Sequence, residues 1–432
     1  MTGNGYDALV VGAGPAGSVA ALVLARHGAR VALVDKSRFP RDKACGDLVG
    51  PRGVQTLAEL GVELAGPHLG DMEVIGPSGR SVVLPAAPGL TYPGHAVVAP
   101  RARMDAHLHR LAVDAGAEPV TGRAGRPLYS DDGRLAGFEV DPGRHSDKDR
   151  PVRLTADLLI GADGALSRVG AAAGLVNESR VLWAFAVRAY MPASPPLPRI
   201  HFWEPSPMSG YPGYGWVFPG EGDQANVGLG VGTRGDRRAG ARASRDLEGF
   251  VAAAGLDPSG IGRTLGGWIK MGMVGTDPAR GRTLLVGDAA GLVNPLQGEG
   301  IAQALGSGRA AAEAFLSAGA DGAARVYKQE LARRYAPYAA TTAPVTAWMI
   351  ERPAAVARLG RLLTAPGLGS VLAGGWALYW NDLLDGAPPG WPRRVARIAD
   401  LSGRALTSRL ADRRSVLASV SAGPGEAASG SP

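Results

Sequence analysis

Gly12, Gly14 and Gly17 stand in the spacing Gly-x-Gly-x-x-Gly, directly after the apolar run Asp7–Val11. That spacing suits a turn that cradles phosphate. The first glycine permits a tight turn, the second lets a pyrophosphate approach the backbone, and the third lets helix and strand pack closely. Pro15 and Ala16 open a helical stretch reaching His27, whose first N–H groups and dipole favour an anion. A second apolar run, Arg30–Val34, ends at Asp35, which Lys36 follows. A carboxylate there is placed to accept hydrogen bonds from ribose hydroxyls. Strand, glycine turn, helix, strand and acid together predict a dinucleotide-binding unit rather than an ordinary turn.

Two later segments carry the same kind of signal. Leu284–Gly291 is an apolar strand ending at Gly287 and Asp288, and strand ends of this kind hold ligands in open α/β sheets. Pro295, Gly298 and Gly300 then lead into a predicted helix, Ile301–Leu316. Leu159–Gly164, with Asp163 and then Ser167 and Arg168, reads equally well by itself as a strand and turn. Tyr214, Trp216 and Phe218 are spaced by two, before Pro219. On a strand all three rings share one face, which serves either as core or as the wall of an apolar pocket. Cys45, the one cysteine, lies in a polar loop with Arg41, Lys43, Gly46 and Asp47. It reads as a small buried hydrophobe or as a thiol whose pKa a nearby cation lowers.

The elements that must position these residues alternate between two patterns. The predicted fold class is α/β: a Rossmann-like domain with an inserted antiparallel substrate sheet and a helical C-terminal region. Residues 1–70, 101–180 and 276–330 are assigned to the dinucleotide domain, and 71–100 and 181–275 to the sheet. Residues 331–421 are assigned to the helical region and 422–432 to a disordered tail. Leu362–Trp380 carries no charge. It is compatible with a buried helix pair, a segment dipping into a surface or substrate pocket, or a span, although Pro366 and several glycines weaken the last.

The chain has 432 residues, 45% of them hydrophobic and 20% charged, with a formal net charge of +7. A basic balance suits anionic partners. No basic run or zinc-finger spacing accompanies it, so nucleic acid is not an expected partner, whereas a membrane surface is retained. The seven histidines are scattered and no metal is expected. A single cysteine excludes an intramolecular disulfide and suits a reducing compartment. No secretory signal is read at the N-terminus. The expected location is the cytoplasm, with peripheral contact at the inner face of the membrane. Oligomeric state is left open.

The three motifs, in this order over residues 6 to 316, resemble the FAD enzymes of the aromatic-hydroxylase type. Phe39–Asp47 resembles the loop that geranylgeranyl reductases carry beside their flavin. Tyr214–Pro219, followed by Val227–Gly230, resembles their Y-x-W-x-F-P motif. The likeness runs furthest toward the actinobacterial menaquinone reductases of that family, and extends to Pro212-Gly213 and Leu410–Arg414. It departs at Leu48-Val49 and around Leu362–Trp380.

The resemblance implies FAD as cofactor and an external reductant, with NAD(P)H, ferredoxin and a quinol-linked carrier as candidates. It implies a flavin site formed by Gly12, Gly14, Ala16, Gly17, Asp35, Lys36, Arg41, Cys45, Gly46, Arg101, Asp163, Gly287, Asp288, Pro295, Gly298, Gly300 and Ile301. Tyr214, Trp216, Phe218 and Pro219 would line a pocket for an apolar prenyl-type substrate. The implied reaction is saturation of an isoprenoid C=C bond, with Cys45, Tyr214 and Trp216 as catalytic candidates. Cys45, Tyr214 and an ordered water remain alternatives for the proton donor. The competing readings are a flavin monooxygenase or halogenase of a secondary metabolite, and a flavin- or lipid-binding protein without turnover. The absence of a W-x-W-x-I-P segment counts against halogenation.

Overall fold

The structure is a computed structural model and describes residues 5–86, 89–142, 150–202, 213–233 and 238–405. Pro212, Leu410–Arg414 and the predicted tail at 422–432 lie outside the described residues.

The strand Tyr6–Val11 lies between Val31–Asp35 and Val152–Gly161, parallel to both. Glu118–Tyr129 and Thr283–Leu285 extend this parallel core on either side. Such strands are covered on both faces and therefore read as unbroken apolar runs; Ala8, Leu9, Val10 and Ile160 are all fully buried. The helix Pro15–Arg26 packs against both Arg101–Asp114 and Ile301–Arg334. Its contact with the latter is close enough that a Cβ on Gly308 would overlap the Ala16 carbonyl oxygen. Beyond the core, Leu135–Pro142 pairs antiparallel with both Glu118–Tyr129 and Val152–Gly161.

A second sheet runs in the order Leu265–Met271, Leu182–Pro192, Gln224–Thr233, Gly213–Pro219, Arg199–His201, Met72–Ile75, Ser81–Leu84. Its pairings are antiparallel except for Arg199–His201 with Met72–Ile75. Alternation along Gly213–Pro219 sends side chains to two cores. Val217 packs with Phe250 of the helix Ala239–Ala253, while Trp216 and Phe218 join a separate aromatic cluster on the opposite face. A small third sheet joins Leu48–Val49, Ala96–Val98 and His68–Leu69.

The helix expected to end near Leu316 continues to Arg334, with a break at Gly319, where φ is +65°. The uncharged stretch beyond Arg361 closes one helix and forms another, with an angle of 110° between Ala357–Leu363 and Leu368–Trp380. Among the described residues no single helix is long and apolar enough to cross a membrane.

Candidate active site

The first glycine turn divides into residues the fold requires and one it does not. At Gly12 φ is +101°, and a Cβ there would overlap the Ala162 carbonyl. A Cβ on Gly17 would overlap the carbonyl oxygen of Gly12. A Cβ on Gly14 would meet only Arg41 Nη2, at 3.6 Å, so that flank is open to a ligand. Gly14 caps the helix without any side-chain hydrogen bond, which leaves a helix N-terminus suited to a phosphate. This cradle fits the pyrophosphate of FAD. Asp35 accepts from the Ala13 N–H at 2.8 Å and from the Ser37 N–H at 2.8 Å. Lys36 is exposed.

Arg101 lies between its own helix and Cys45. Its Nε and Nη2 each bond Asp105 at 2.7 Å, turning the guanidinium back along its own helix. Arg41 Nη1 meets the same fully buried Asp105 at 2.9 Å. Arg41 is therefore the guanidinium held beside Gly14, and Asp105 is its anchor.

The second motif closes onto the first. Gly287 has φ +55°, and a Cβ there would sit 3.4 Å from Ala16 Cβ and 3.3 Å from Ala304 Cβ. Asp288 Oδ2 lies 3.8 Å from Lys43 Nζ, and its Oδ1 faces Gly300, the residue that caps Ile301–Arg334 without a side-chain bond. Asp288 thus borders both the Cys45 loop and a second uncapped helix N-terminus. Gly298 has φ +74° and abuts the Tyr214 hydroxyl. Ile301 is buried, and the Pro295 carbonyl accepts from Thr346 at 3.0 Å; both pack the turn. Asp163 is occupied locally: it accepts from Ser167 Oγ, from Arg168 N at 2.6 Å and from Val169 N at 3.2 Å.

The aromatic stripe forms the facing wall. Tyr214, Trp216 and Phe218 share one side, with ring centroids 6.3 Å apart at each step. Across the strand pair they oppose Gly230, Gly228 and Asn226. A Cβ on Gly228 would overlap the Trp216 ring, and one on Gly46 would lie 3.0 Å from Phe218. Trp380, from the helix Leu368–Trp380, meets Tyr214 at 6.4 Å, and Trp376 and Phe202 complete the cluster. Pro219 ends the strand at its border.

Side chains between wall and loop form a closed network. Trp216 Nε1 donates to Asn226 Oδ1 at 2.9 Å. Asn226 Nδ2 donates to the Cys45 carbonyl at 2.8 Å and to Asp47 Oδ2 at 2.9 Å. The Tyr190 hydroxyl also donates to Asp47, which holds φ at +61°. Burial raises the pKa of Asp47, against its hydrogen bonds to Tyr190 and Asn226. Burial likewise pushes the Cys45 thiol up, and the opposing Arg101 charge does not reverse this. The thiolate considered from sequence is thus disfavoured, and Cys45 is a neutral thiol near neutral pH. Burial also raises Tyr214, whose hydroxyl donates to the Gln297 carbonyl.

Asp47 as a network centre, Asp105, Asn226 and Glu299 were not identified from the sequence. One signal was available for Asn226: it falls on the same strand face as Gly228 and Gly230, opposite Phe218. The contact between Asp105 and Arg41 crosses elements and leaves no local pattern.

A profile described as FAD binding domain matches residues 5–327. The chain is 32% identical to the menaquinone reductase of Mycolicibacterium smegmatis over 427 residues, covering 94% of this chain and 98% of that one. It is also 32% identical over 327 residues to digeranylgeranylglycerophospholipid reductase 1 of Methanopyrus kandleri, covering 72% and 81%. A solved geranylgeranyl bacteriochlorophyll reductase-like protein from Thermoplasma acidophilum shares the fold, with a TM-score of 0.69, 24% identity and coverage of 88% and 98%. A glycine cradle shaped for a pyrophosphate, facing an aromatic wall, and relatives aligned along nearly the whole chain lead to one conclusion: this protein belongs to the geranylgeranyl reductase family of FAD-dependent oxidoreductases.

Proposed function

We propose that the chain saturates an isolated C=C bond in the isoprenoid chain of a prenyl lipid, of the menaquinone side-chain or geranylgeranyl type. The observation that carries this reading is the aromatic wall. Tyr214, Trp216, Phe218, Trp376 and Trp380 pack as one largely buried aromatic cluster whose edge meets Gly46 of the Cys45 loop and Gly298 of the turn before Ile301. Rings of this kind bury large area with defined geometry. Bound and reduced FAD supplies the hydride. Gly14, the uncapped end of the helix Pro15–Arg26 and Arg41 would hold the pyrophosphate, and Asp288 would accept from a ribityl hydroxyl. An unactivated alkene accepts hydride poorly, so a proton must arrive with it and water must be excluded. Cys45 and Tyr214, both neutral and both partly buried, are the candidate groups to hold that proton. The family implies an external reductant, for which NAD(P)H is the first to test.

Access to a lipid substrate comes from peripheral contact with an anionic membrane. The C-terminal helical region exposes Leu359, Leu362, Leu368, Val371, Trp391, Ile398 and Leu401. Exposed Arg358, Arg394 and Arg397 lie among them. Apolar side chains interleaved with arginine suit an acidic lipid surface. Flotation with anionic vesicles should carry the protein upward; protein left at the bottom would remove this part of the reading.

The reaction is tested by anaerobic incubation of dithionite-reduced protein with a panel of prenyl lipids, read by mass spectrometry. A gain of two hydrogens is expected. No gain from any lipid, together with an oxygen-containing product under air, would replace the reading with a monooxygenase.

A further inference from the structure

Arg188 is a buried cation that neither the glycine motifs nor the aromatic wall accounts for. It lies on the strand Leu182–Pro192, and its side chain is 1% exposed. Pairing sets it opposite Gly228, which opposes Trp216 on the next strand, so Arg188 shares a sheet face with the aromatic wall. The flanking Val187 and Ala189 go to the opposite core. Two residues along, on the shared face, the centroid of the Tyr190 ring lies 4.3 Å from the guanidinium carbon.

From this face Arg188 takes hold of the Cys45 loop. Its Nη2 donates to the Asp42 carboxylate and, at 3.3 Å, to the Lys43 carbonyl. Asn226, which pairs with Tyr190, donates to the Cys45 carbonyl at 2.8 Å. Cys45 is thus bracketed by two donors from adjacent rows of one sheet face. Between them the loop seats closely, since a Cβ on Gly267 would lie 3.8 Å from Ala44 Cβ. The Lys43 side chain reaches the second motif, with Nζ 3.8 Å from Asp288 Oδ2. For stability alone the arrangement is poor. Arg188 Nε is buried without a hydrogen-bond partner among the described residues, whereas the Asp42 side chain is 31% exposed and keeps its access to water. A desolvated guanidinium with a donor left over gains little net stability from its ion pair.

We propose that Arg188 is a positioning residue for the reaction: by pinning Asp42 and Lys43 to the sheet, it holds Cys45 against the aromatic wall and Lys43 within reach of Asp288. The inference rests on the reaction proposed above. Arg188 acts through the loop. A loop released at Asp42 and Lys43 keeps its bond from Asn226 to the Cys45 carbonyl but loses the fixed approach of its first half. The thiol and the Lys43–Asp288 contact then wander relative to the wall, and the geometry that brings alkene, hydride and proton together is lost.

The test begins with the oxidised holoprotein and needs no turnover. Cys45 is the one cysteine, so thiol alkylation reports on this loop alone. Rates are taken across pH, so that the limiting rate of the thiolate is compared and not its pKa. Arg188→Met keeps the length and apolar packing of the side chain and removes its donors. Its limiting rate should rise about 10- to 100-fold, as loss of a hydrogen bond to a charged group shifts a local opening, while it melts with the parent. Asp42→Asn, changed from the exposed side, should raise the rate less, and Arg188→Lys should recover part of the protection because an ammonium still pairs with Asp42. With a prenyl lipid, kcat of Arg188→Met should fall by about 10²-fold, as a misplaced group costs, with KM nearly unchanged. Parent-like alkylation in both Arg188→Met and Asp42→Asn overturns the proposal, as does alkylation that rises only in step with a lower melting temperature. An active wild type whose kcat survives Arg188→Met overturns the positioning role alone. A wild type that saturates no prenyl chain overturns the reaction, while alkylation still decides whether Arg188 pins the loop.

Discussion

The two halves of the candidate site are built on different physical grounds. On the dinucleotide side, backbone does the positioning: Gly12 and Gly17 are excluded from bearing a Cβ by the carbonyls of Ala162 and Gly12, and two helix ends stand without side-chain caps. On the aromatic side, buried side chains position one another. Trp216, Asn226, Asp47, Tyr190 and the Cys45 carbonyl form one hydrogen-bonded set. A backbone cradle tolerates changes that leave its shape intact. A closed buried network loses several partners when one member goes, because each orphaned polar group keeps its desolvation penalty.

The largest expected effect falls on the aromatic side. Trp216→Ala removes a ring that is 6% exposed and leaves Asn226 Oδ1 unpaired, so a loss of about 3–5 kcal/mol is expected from the cavity. Thermal melts and flavin occupancy check it. A variant that melts with the parent yet loses alkene reduction would show that the ring serves only as substrate wall, and would break the contrast.

The glycine turn sharpens the comparison from the other side. Gly17→Ala forces a Cβ onto a carbonyl, and about 3 kcal/mol of stability should be lost through overpacking, with flavin lost too. Gly14→Ala meets only an ordinary contact with Arg41 Nη2 at 3.6 Å, so the flavin-free protein should melt within about 0.5 kcal/mol of the parent, as benign substitutions do. FAD affinity should nevertheless fall. Equal losses of stability in the two variants would mean that Gly14 is a packing residue after all.

Asp288→Ala should weaken FAD binding by about 1.5–3 kcal/mol, the range for a hydrogen bond to a charged group. Fluorescence titration of stripped protein with FAD measures this, and unchanged affinity would remove Asp288 from the site.

The smallest effect is one of pH. Asp382 has its folded pKa raised from 3.8 to about 7 by burial, so the folded state holds the extra proton. Its contribution to stability is full below 3.8 and is lost as pH rises through about 7, following proton linkage. Asp382→Asn should flatten the fall in melting temperature over that interval, and asparagine also tolerates the positive φ of +52° found there. An unchanged slope would place the titration elsewhere.

The sequence by itself determined the dinucleotide half. Glycine spacing, the apolar strands and Asp35 follow one another within a single βαβ unit, so local steric rules suffice to read Gly12, Gly14 and Gly17. The common face of Tyr214, Trp216 and Phe218 was equally legible, because strand side chains alternate with period two. Tertiary structure alone decided what these residues meet. Arg101 lies one helical turn from Asp105 and pairs with it, while Arg41 reaches the same carboxylate from another loop. Cys45 sits in a polar stretch of sequence, yet the fold half-buries it beside Asn226 and Arg101 and raises its pKa. Glu299 lies between two glycines, and only burial in the fold raises its pKa, against the Gly50 N–H and the Arg52 charge. Burial and charge pairing depend on segments brought together from some 250 residues apart, and no local pattern encodes that meeting.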